Sequence, residues 1–442
     1  MQAARHRRHS RIACGIRGPH PADRLYSTTK PLCCGRDQDR RVELYRAREA
    51  GAAMIIAGGS YLEICLRPEW RRLFGSGLRA ACAIAPLSVD TQLHTYGFEG
   101  WADDIRHTAA AFGAAANVHP IADAISFSYD HPLSPARRHP GTTIRNAPIV
   151  VQGAAVLRFG FVEGDAVVEG ERVVYDPQSS DISDEFGANG SRAKHLALVL
   201  NEMEAGIVGG SIDVEGLMRR HRADIAVVKR GPWGATVHEA GKAAVEVPIY
   251  RSNSVFKIGS GDVFSAAFAL FWAERGLDAS AAADSASRCV ARFVDGHVLP
   301  LSEPGGDFEA VRATRSGSIY LAGPFFDLAQ RWMIEEAYRT LIDQGVEVFS
   351  PLHEIGTGLP ADVIARADLQ GLRKCAKVLA LLDGADPGTL FEVGYARALD
   401  IPVVALAERF EEENLTMIAG SGCDVVRDFA TAVYRVLWTS GE

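Results

Sequence analysis

Short apolar runs punctuated by Gly, Asp and Pro set the rhythm of the chain from Met54 onward. Met54-Ile55-Ile56-Ala57 stops at Gly58-Gly59, and Ala155–Phe161, Arg172–Tyr175, Leu196–Leu200 and Ile225–Val228 repeat the form, Val-rich and bounded by Gly or Asp. Runs of this length and composition predict strands. Val263–Glu274 and Ala279–Phe293 space their apolar residues as helices do. Strands alternating with helices predict a layered α/β domain with a largely parallel sheet. Leu299–Gly317 is rich in Pro, Gly, Ser and charge and reads as a linker. A second α/β pattern follows: strands at Ser318–Ala322, Val346–Phe349, Val378–Leu382 and Val403–Leu406, with helices at Asp327–Gln344, Ala361–Cys375, Gly388–Asp400 and Val425–Leu437. Residues 1–53 hold no sustained period of 2 or 3.6. The expected division is therefore a leader over 1–53, one α/β domain over 54–315 and a smaller one over 316–442.

Composition changes this picture little. Of the 442 residues, 47% are hydrophobic and 23% charged, which excludes a disordered or fibrous chain and leaves ample material for two cores. The formal charge of -8 gives no chain-wide footprint for nucleic acid or an anionic membrane. That charge is unevenly spread: the first 53 residues hold twelve Lys and Arg against five acids, a surplus of +7, which leaves the remainder at -15. The leader is open to two readings, a basic binding tail or an over-long start with translation beginning at Met54. Its three cysteines (Cys14, Cys33, Cys34) and the scattered other five show neither metal-ligand spacing nor a disulfide framework. His94, His107, His119, His131 and His139 show no close ligand pairing. No run approaches the ~18–20 apolar residues of a membrane span. The expectation is a cytoplasmic protein with small-molecule partners, no membrane association and no nucleic-acid role.

Two motifs carry chemistry. The first is Ile258-Gly259-Ser260-Gly261-Asp262 at the head of a helix, where small residues let backbone amides converge on an anion and Asp262 is placed to take a proton from an attacking hydroxyl. Upstream, one strand ends in Asn201-Glu202-Met203-Glu204 and another runs through Lys229 into Gly231-Pro232-Trp233-Gly234. Asn201 to Lys229 and Gly231 to Gly259 are each 28 residues apart. With Gly58-Gly59, Gly75-Ser76-Gly77 and Asp176-Pro177, this order resembles the ribokinase-like (PfkB) family of carbohydrate and nucleoside kinases. The resemblance implies Asp262 as catalytic base, Gly259, Ser260 and Gly261 as an anion hole, Asn201 and Glu204 organising magnesium and phosphates, and Gly231 beside the nucleotide, with ATP and Mg2+ as cofactors. Three positions depart from the family: Phe256-Lys257 replaces Asp-Thr, Glu63 stands where the acceptor-binding acid is commonly Asp, and Arg79 where an Asn often binds the sugar.

The second motif runs from Leu379 to Ala396. A strand enters a loop with Asp383 and Asp386, Pro387 follows, and Glu392 lies among Leu390, Phe391, Val393 and Tyr395. Asp before Pro is a helix start, an N-cap and a first-turn proline. Capping does not account for Glu392, which either faces solvent or, on a helix aimed at a strand-end cleft, can attack a sugar C1. Together with Ile319-Tyr320-Leu321-Ala322-Gly323-Pro324-Phe325-Phe326, Asp368-Leu369-Gln370-Gly371-Leu372 and Glu413-Asn414-Leu415-Thr416-Met417, this stretch resembles nucleoside 2-deoxyribosyltransferases and related nucleotide N-glycosidases. The resemblance implies a flavodoxin-like or Rossmann-like parallel sheet and no cofactor. It makes Glu392 the nucleophile, supported by Tyr320, with Asp386 binding or protonating the base. Phe326 and Asp383 would contact the nucleoside, and Asn414 and Met417 would reach a neighbouring subunit's pocket in a dimer or larger assembly. A further family acid before the central strand falls on Ala376, which favours hydrolysis over base exchange.

The expected function is a bifunctional nucleoside or nucleotide enzyme: ATP-dependent phosphorylation of a sugar or nucleoside in the first domain, N-glycosidic cleavage or deoxyribosyl transfer in the second. The alternative is a ligand-sensing protein with an inactive kinase fold.

Overall fold

The computed structural model describes residues 53–179, 185–206, 213–306, 308–311, 313, 315–409 and 412–440. Of the basic leader only Ala53 lies within them. The first domain is built on a nine-stranded sheet. Its strands in chain order are β1 (Met54–Ala57), β2 (Thr91–Phe98), β3 (Ala115–Ile121), β4 (Ile149–Phe159), β5 (Ala166–Asp176), β6 (Arg192–Asn201), β7 (Ile225–Lys229), β8 (Ala235–Glu239) and β9 (Val245–Val247). Their spatial order is β9-β8-β7-β6-β5-β4-β1-β2-β3, parallel from β3 to β7 and antiparallel at β8 and β9.

Alternation along these strands fills two layers. Ile56, Leu157, Val174, Val199 and Val227 pack against helices α1 (Gly75–Ile84), α2 (Ser260–Ala269) and α3 (Ala279–Gly296). Their neighbours Val156, Val173, Leu198 and Ala226 pack on the opposite face with Val214, Leu217 and Met218. Period-2 burial on both faces is what a sheet covered by helices requires. A separate four-stranded sheet (Trp70–Leu73, Leu62–Cys65, Ser126–Tyr129, Arg137–His139) carries Glu63.

The second domain is an all-parallel five-stranded sheet, ordered β11-β10-β12-β13-β14 from β10 (Ile319–Ala322), β11 (Val348–Phe349), β12 (Lys377–Leu381), β13 (Val403–Leu406) and β14 (Asp424–Val426). Ile319, Leu321, Leu379, Leu381, Val404 and Leu406 face α4 (Leu328–Asp343) and α7 (Phe429–Trp438). Tyr320, Ala322, Val378, Ala380 and Ala405 face α5 (Ala361–Leu372) and α6 (Pro387–Ala398). The α/β class and the parallel sheets expected from the pattern are what the structure has.

Three details differ. The helix expected over Val425–Leu437 starts only at Phe429, because Val425 and Val426 pair with Ala405 and Leu406 as an edge strand and Asp428 then caps the helix through the Thr431 amide. The stretch read as linker contains Ala310–Val311, which pairs with Ile249–Tyr250. Helix α2 begins three residues before the expected Val263 and ends in a π turn over Leu270–Glu274. Among the described residues no helix is long and apolar enough to cross a membrane.

Candidate active site

In parallel α/β sheets side chains at the carboxyl ends of the strands converge on one crevice. In the second domain Tyr320 points from β10 toward α6, where its phenol donates to Glu392 Oε1 at 2.6 Å. Glu392 is in the second turn of α6, and the orientation of that helix is fixed at its start. Asp386 Oδ2 accepts from the Thr389 amide at 2.7 Å and the Thr389 hydroxyl at 2.9 Å, with Pro387 at the first helical position. Burial pushes the Glu392 carboxyl up to about 7, and the charges of Asp368 and Asp386 add to the rise while the Tyr320 hydrogen bond opposes it. Burial, followed by the Glu392 charge, drives the Tyr320 phenol far above its usual range, so it is a permanent donor. Glu392 is thus a carboxylate poised near neutrality, oriented on one oxygen.

Asp368, on α5, is the residue whose role the sequence reading missed, although its motif was part of the resemblance. Its field reaches both Glu392 and Tyr320, burial raises its own carboxyl, and its Oδ1 is buried without a hydrogen-bond partner. A buried acceptor of this kind near Glu392 can take a donor from a bound molecule. The acid absent at Ala376 therefore leaves three carboxylates here: Glu392, Asp368 and Asp386.

The other expected residues are more dispersed. Phe326 is 73% exposed and stacks on Phe325 at the mouth of the β10 loop. Asp383 accepts from the Arg409 amide at 3.0 Å and so ties the loop after β12 to the loop after β13. Asn414 and Met417 line a cleft of about 920 Å³ together with Leu390, Val393, Gly394 and Arg397. Those four recur at i, i+3, i+4 and i+7, one face of α6, and Glu392 is not on it. Within one chain Asn414 and Met417 therefore do not join the nucleophile.

In the first domain Asp176, Asn201 and Lys229 are the last residues of β5, β6 and β7. Lys229 Nζ donates to Asp176 Oδ2 at 2.9 Å. Asn201 and Glu204 cap each other, the Asn201 amide donating to Glu204 Oε2 at 2.7 Å and the Glu204 amide to Asn201 Oδ1 at 2.8 Å. Burial, then the Asp176 charge, raises Glu204 to about 7, and burial, then Lys229, lowers Lys257 to about 8. Gly259 caps α2 with a φ of 79°, Lys257 Nζ donates to Ser260 Oγ at 3.0 Å, and Gly261 and Asp262 complete the first turn. The strand-end residues and the Gly-rich turn thus share one electrostatic cluster, with Gly231 on its flank. Among the described residues no group of three or more His, Cys, Asp or Glu forms a metal cage.

Residues 319–424 match the family model described as nucleoside 2-deoxyribosyltransferase. No curated protein matches the chain. Solved structures similar to it include a fructokinase from Vibrio cholerae O395 bound to fructose, ADP and calcium (14% identity, 55% of this chain and 92% of that one, TM-score 0.40). A ribokinase from Thermotoga maritima is 15% identical over 56% of this chain and 96% of its own (TM-score 0.39). An aminoimidazole riboside kinase from Salmonella enterica, complexed with its riboside and an ATP analogue, is 15% identical over 55% and 93% (TM-score 0.42).

Proposed function

We propose that the second domain breaks the N-glycosidic bond of a nucleoside or nucleotide, with Glu392 as nucleophile. The observation that carries this reading is the half-buried Glu392 carboxylate held by the Tyr320 phenol at 2.6 Å, inside a segment that matches the deoxyribosyltransferase model. One Glu392 oxygen attacks C1′ as the C1′–N bond breaks, and the base leaves with the bonding electron pair. Asp386 delivers or holds the proton the departing nitrogen requires. The glycosyl ester on Glu392 then passes to water, giving free sugar, or to a second base, giving a new nucleoside. Tyr320 keeps the attacking carboxylate in line, and Asp368 offers its free oxygen to a substrate hydroxyl or amine. With three acids nearby, substrate binding supplies the neutral or protonated groups that relieve their repulsion. Asn414 and Met417, beside another face of α6 from Glu392, would complete the pocket of a second copy in a dimer.

For the first domain the kinase reading requires ATP, a metal and a free base. The residues present do not fit that set as folded. Asn201 Oδ1 and Glu204 Oε2 each accept the other's backbone amide, Asp262 is already in an ion pair with Arg79, and the space beside Gly231 and Gly261 amounts to about 80 Å³. The activity argued here is therefore that of the second domain.

The test is release of free base from a panel of ribo- and deoxyribonucleosides and their monophosphates. Wild-type protein is expected to release base from at least one class, and Glu392→Ala to lose on the order of 10³-fold or more of that rate, as removal of a covalent nucleophile does. Equal release by the two proteins would refute the assignment.

A further inference from the structure

Asp262, the acid at the head of α2, has both carboxylate oxygens engaged. Oδ2 accepts from Arg79 Nη1 at 2.7 Å and Oδ1 from Gln178 Nε2 at 2.7 Å. Arg79 is 1% exposed on α1, and its other terminal nitrogen pairs with Glu63 from the four-stranded sheet. Burial alone would strip the guanidinium of its proton more easily, but the Glu63 and Asp262 charges outweigh it and hold Arg79 charged. The guanidinium also runs directly beneath the turn that would receive an anion. A Cβ on Gly259 would stand 2.1 Å from Arg79 Nε, so glycine is required there for space as well as for its positive φ.

A general base must come within about 2.6–3.2 Å of the hydroxyl it deprotonates. At Asp262 that place is taken by Arg79. A substrate would have to displace a buried cation from two carboxylates, and breaking such a pair strands uncompensated charge.

A second, independent observation concerns the flank where a nucleotide would lie. The cavity there is bounded by Gly231, Gly234, Val255 and Val290 of the first domain and by Tyr434 and Trp438 of α7 in the second. Helix α7 is fastened in that position. Trp438 Nε1 donates to the Pro232 carbonyl at 3.2 Å and the Val255 amide donates to Thr431 Oγ1 at 2.8 Å, while Trp233 Nε1 reaches the carbonyl of Gln344 at the end of α4 at 3.2 Å. Val255, Val311, Tyr434 and Trp438 form one apolar cluster across the contact. The space left between these residues is about 80 Å³.

We propose that the first domain does not transfer phosphate: Arg79 occupies the acceptor's place on Asp262, the aromatic end of α7 walls off the nucleotide flank, and the kinase fold serves as the docking base of the glycosyl-cleaving domain. Its function is to seat α7, and through α7 the sheet that carries Tyr320.

The experiment uses the full chain. Calorimetric titration with Mg-ATP to about 5 mM, above the ~1 μM–1 mM span of ordinary KM values, is paired with an ADP assay over pentoses, hexoses and nucleosides. Thermal unfolding of Asp262→Asn, Arg79→Gln and the double variant accompanies it. The expected result is no saturable heat, ADP formation equal in wild type and Asp262→Asn, and a fall in Tm of about 5 °C in each single variant that is less than additive in the double. Saturable Mg-ATP binding, or ADP formation that Asp262→Asn abolishes, would overturn the proposal. So would an unchanged Tm in Asp262→Asn, since an acid that holds no buried partner is free for catalysis.

Discussion

Two opposed effects act on the Glu392 side chain. Burial and neighbouring acids make its charge costly, while the Tyr320 phenol makes the charged form orderly. On the proposed mechanism Glu392 attacks as the carboxylate, so with its pKa at about 7, kcat/KM is expected to fall as pH drops below 7, tenfold per unit once well below it. Tyr320→Phe removes the one interaction that lowers this pKa. The acidic limb should therefore move to higher pH, and kcat should drop by roughly 10–10²-fold as the carboxylate loses its aim. A pH–rate profile of the two proteins checks both signs. Glu392, Tyr320 and Asp386 were singled out through a family resemblance carried by local motifs, and the structure brings Tyr320 and Glu392 into contact. Arg79 was visible only as an odd residue. Its partner Asp262 lies 183 positions away, and no local pattern announces a contact of that separation. Asp368 was in view but without a role, because what marks it is the unsatisfied oxygen, which only packing reveals.

Helix α6 transmits the geometry of the loop after β12 to Glu392, so its first turn controls the site. Asp386 is at once an N-cap and an acid in the nucleophile's field, and two substitutions separate these roles. Asp386→Asn retains an oxygen for the Thr389 amide and should leave Tm nearly unchanged while slowing base departure. Asp386→Ala should lose about 1 kcal/mol of stability as well. If both variants keep full base release, the proton role falls and only the cap remains. At this scale the apolar pattern located β1, β4, β5, β6 and β7 of the first sheet and β10, β12 and β13 of the second, since continuous Val- and Leu-rich runs buried between helices have few alternatives, but it gave no strand for Thr91–Phe98 or Ala115–Ile121. It failed where a strand is short or exposed. Trp70–Leu73 and Arg137–His139 are three or four residues of mostly polar character, made strands by their partners, and β14 was absorbed into the following helix for the same reason.

The whole molecule joins two three-layered α/β sheets through α7, and its ionisable interior sets its response to pH. Glu163, Glu204 and Glu392 are each lifted by burial to about 7, whereas the unfolded chain ionises near 4.5. Between those values the native state holds protons that the unfolded state has released, so stability falls as pH rises through that window. Glu163 is the cleanest reporter: it takes the Tyr61 hydroxyl at 2.7 Å in the first domain, far from either motif in sequence. Glu163→Gln should lose less Tm than wild type between pH 5 and pH 8, by roughly 2 °C or more. Parallel curves would show that Glu163 ionises normally.

The claim on which the functional account turns is a covalent one, and mass spectrometry of acid-quenched protein addresses it directly. Wild-type chain mixed with a substrate nucleoside or nucleotide and digested should show one added glycosyl mass on the peptide containing Glu392, absent in Glu392→Gln. Base release with no adduct, persisting in Glu392→Gln, or no base release from any member of the panel, would contradict it.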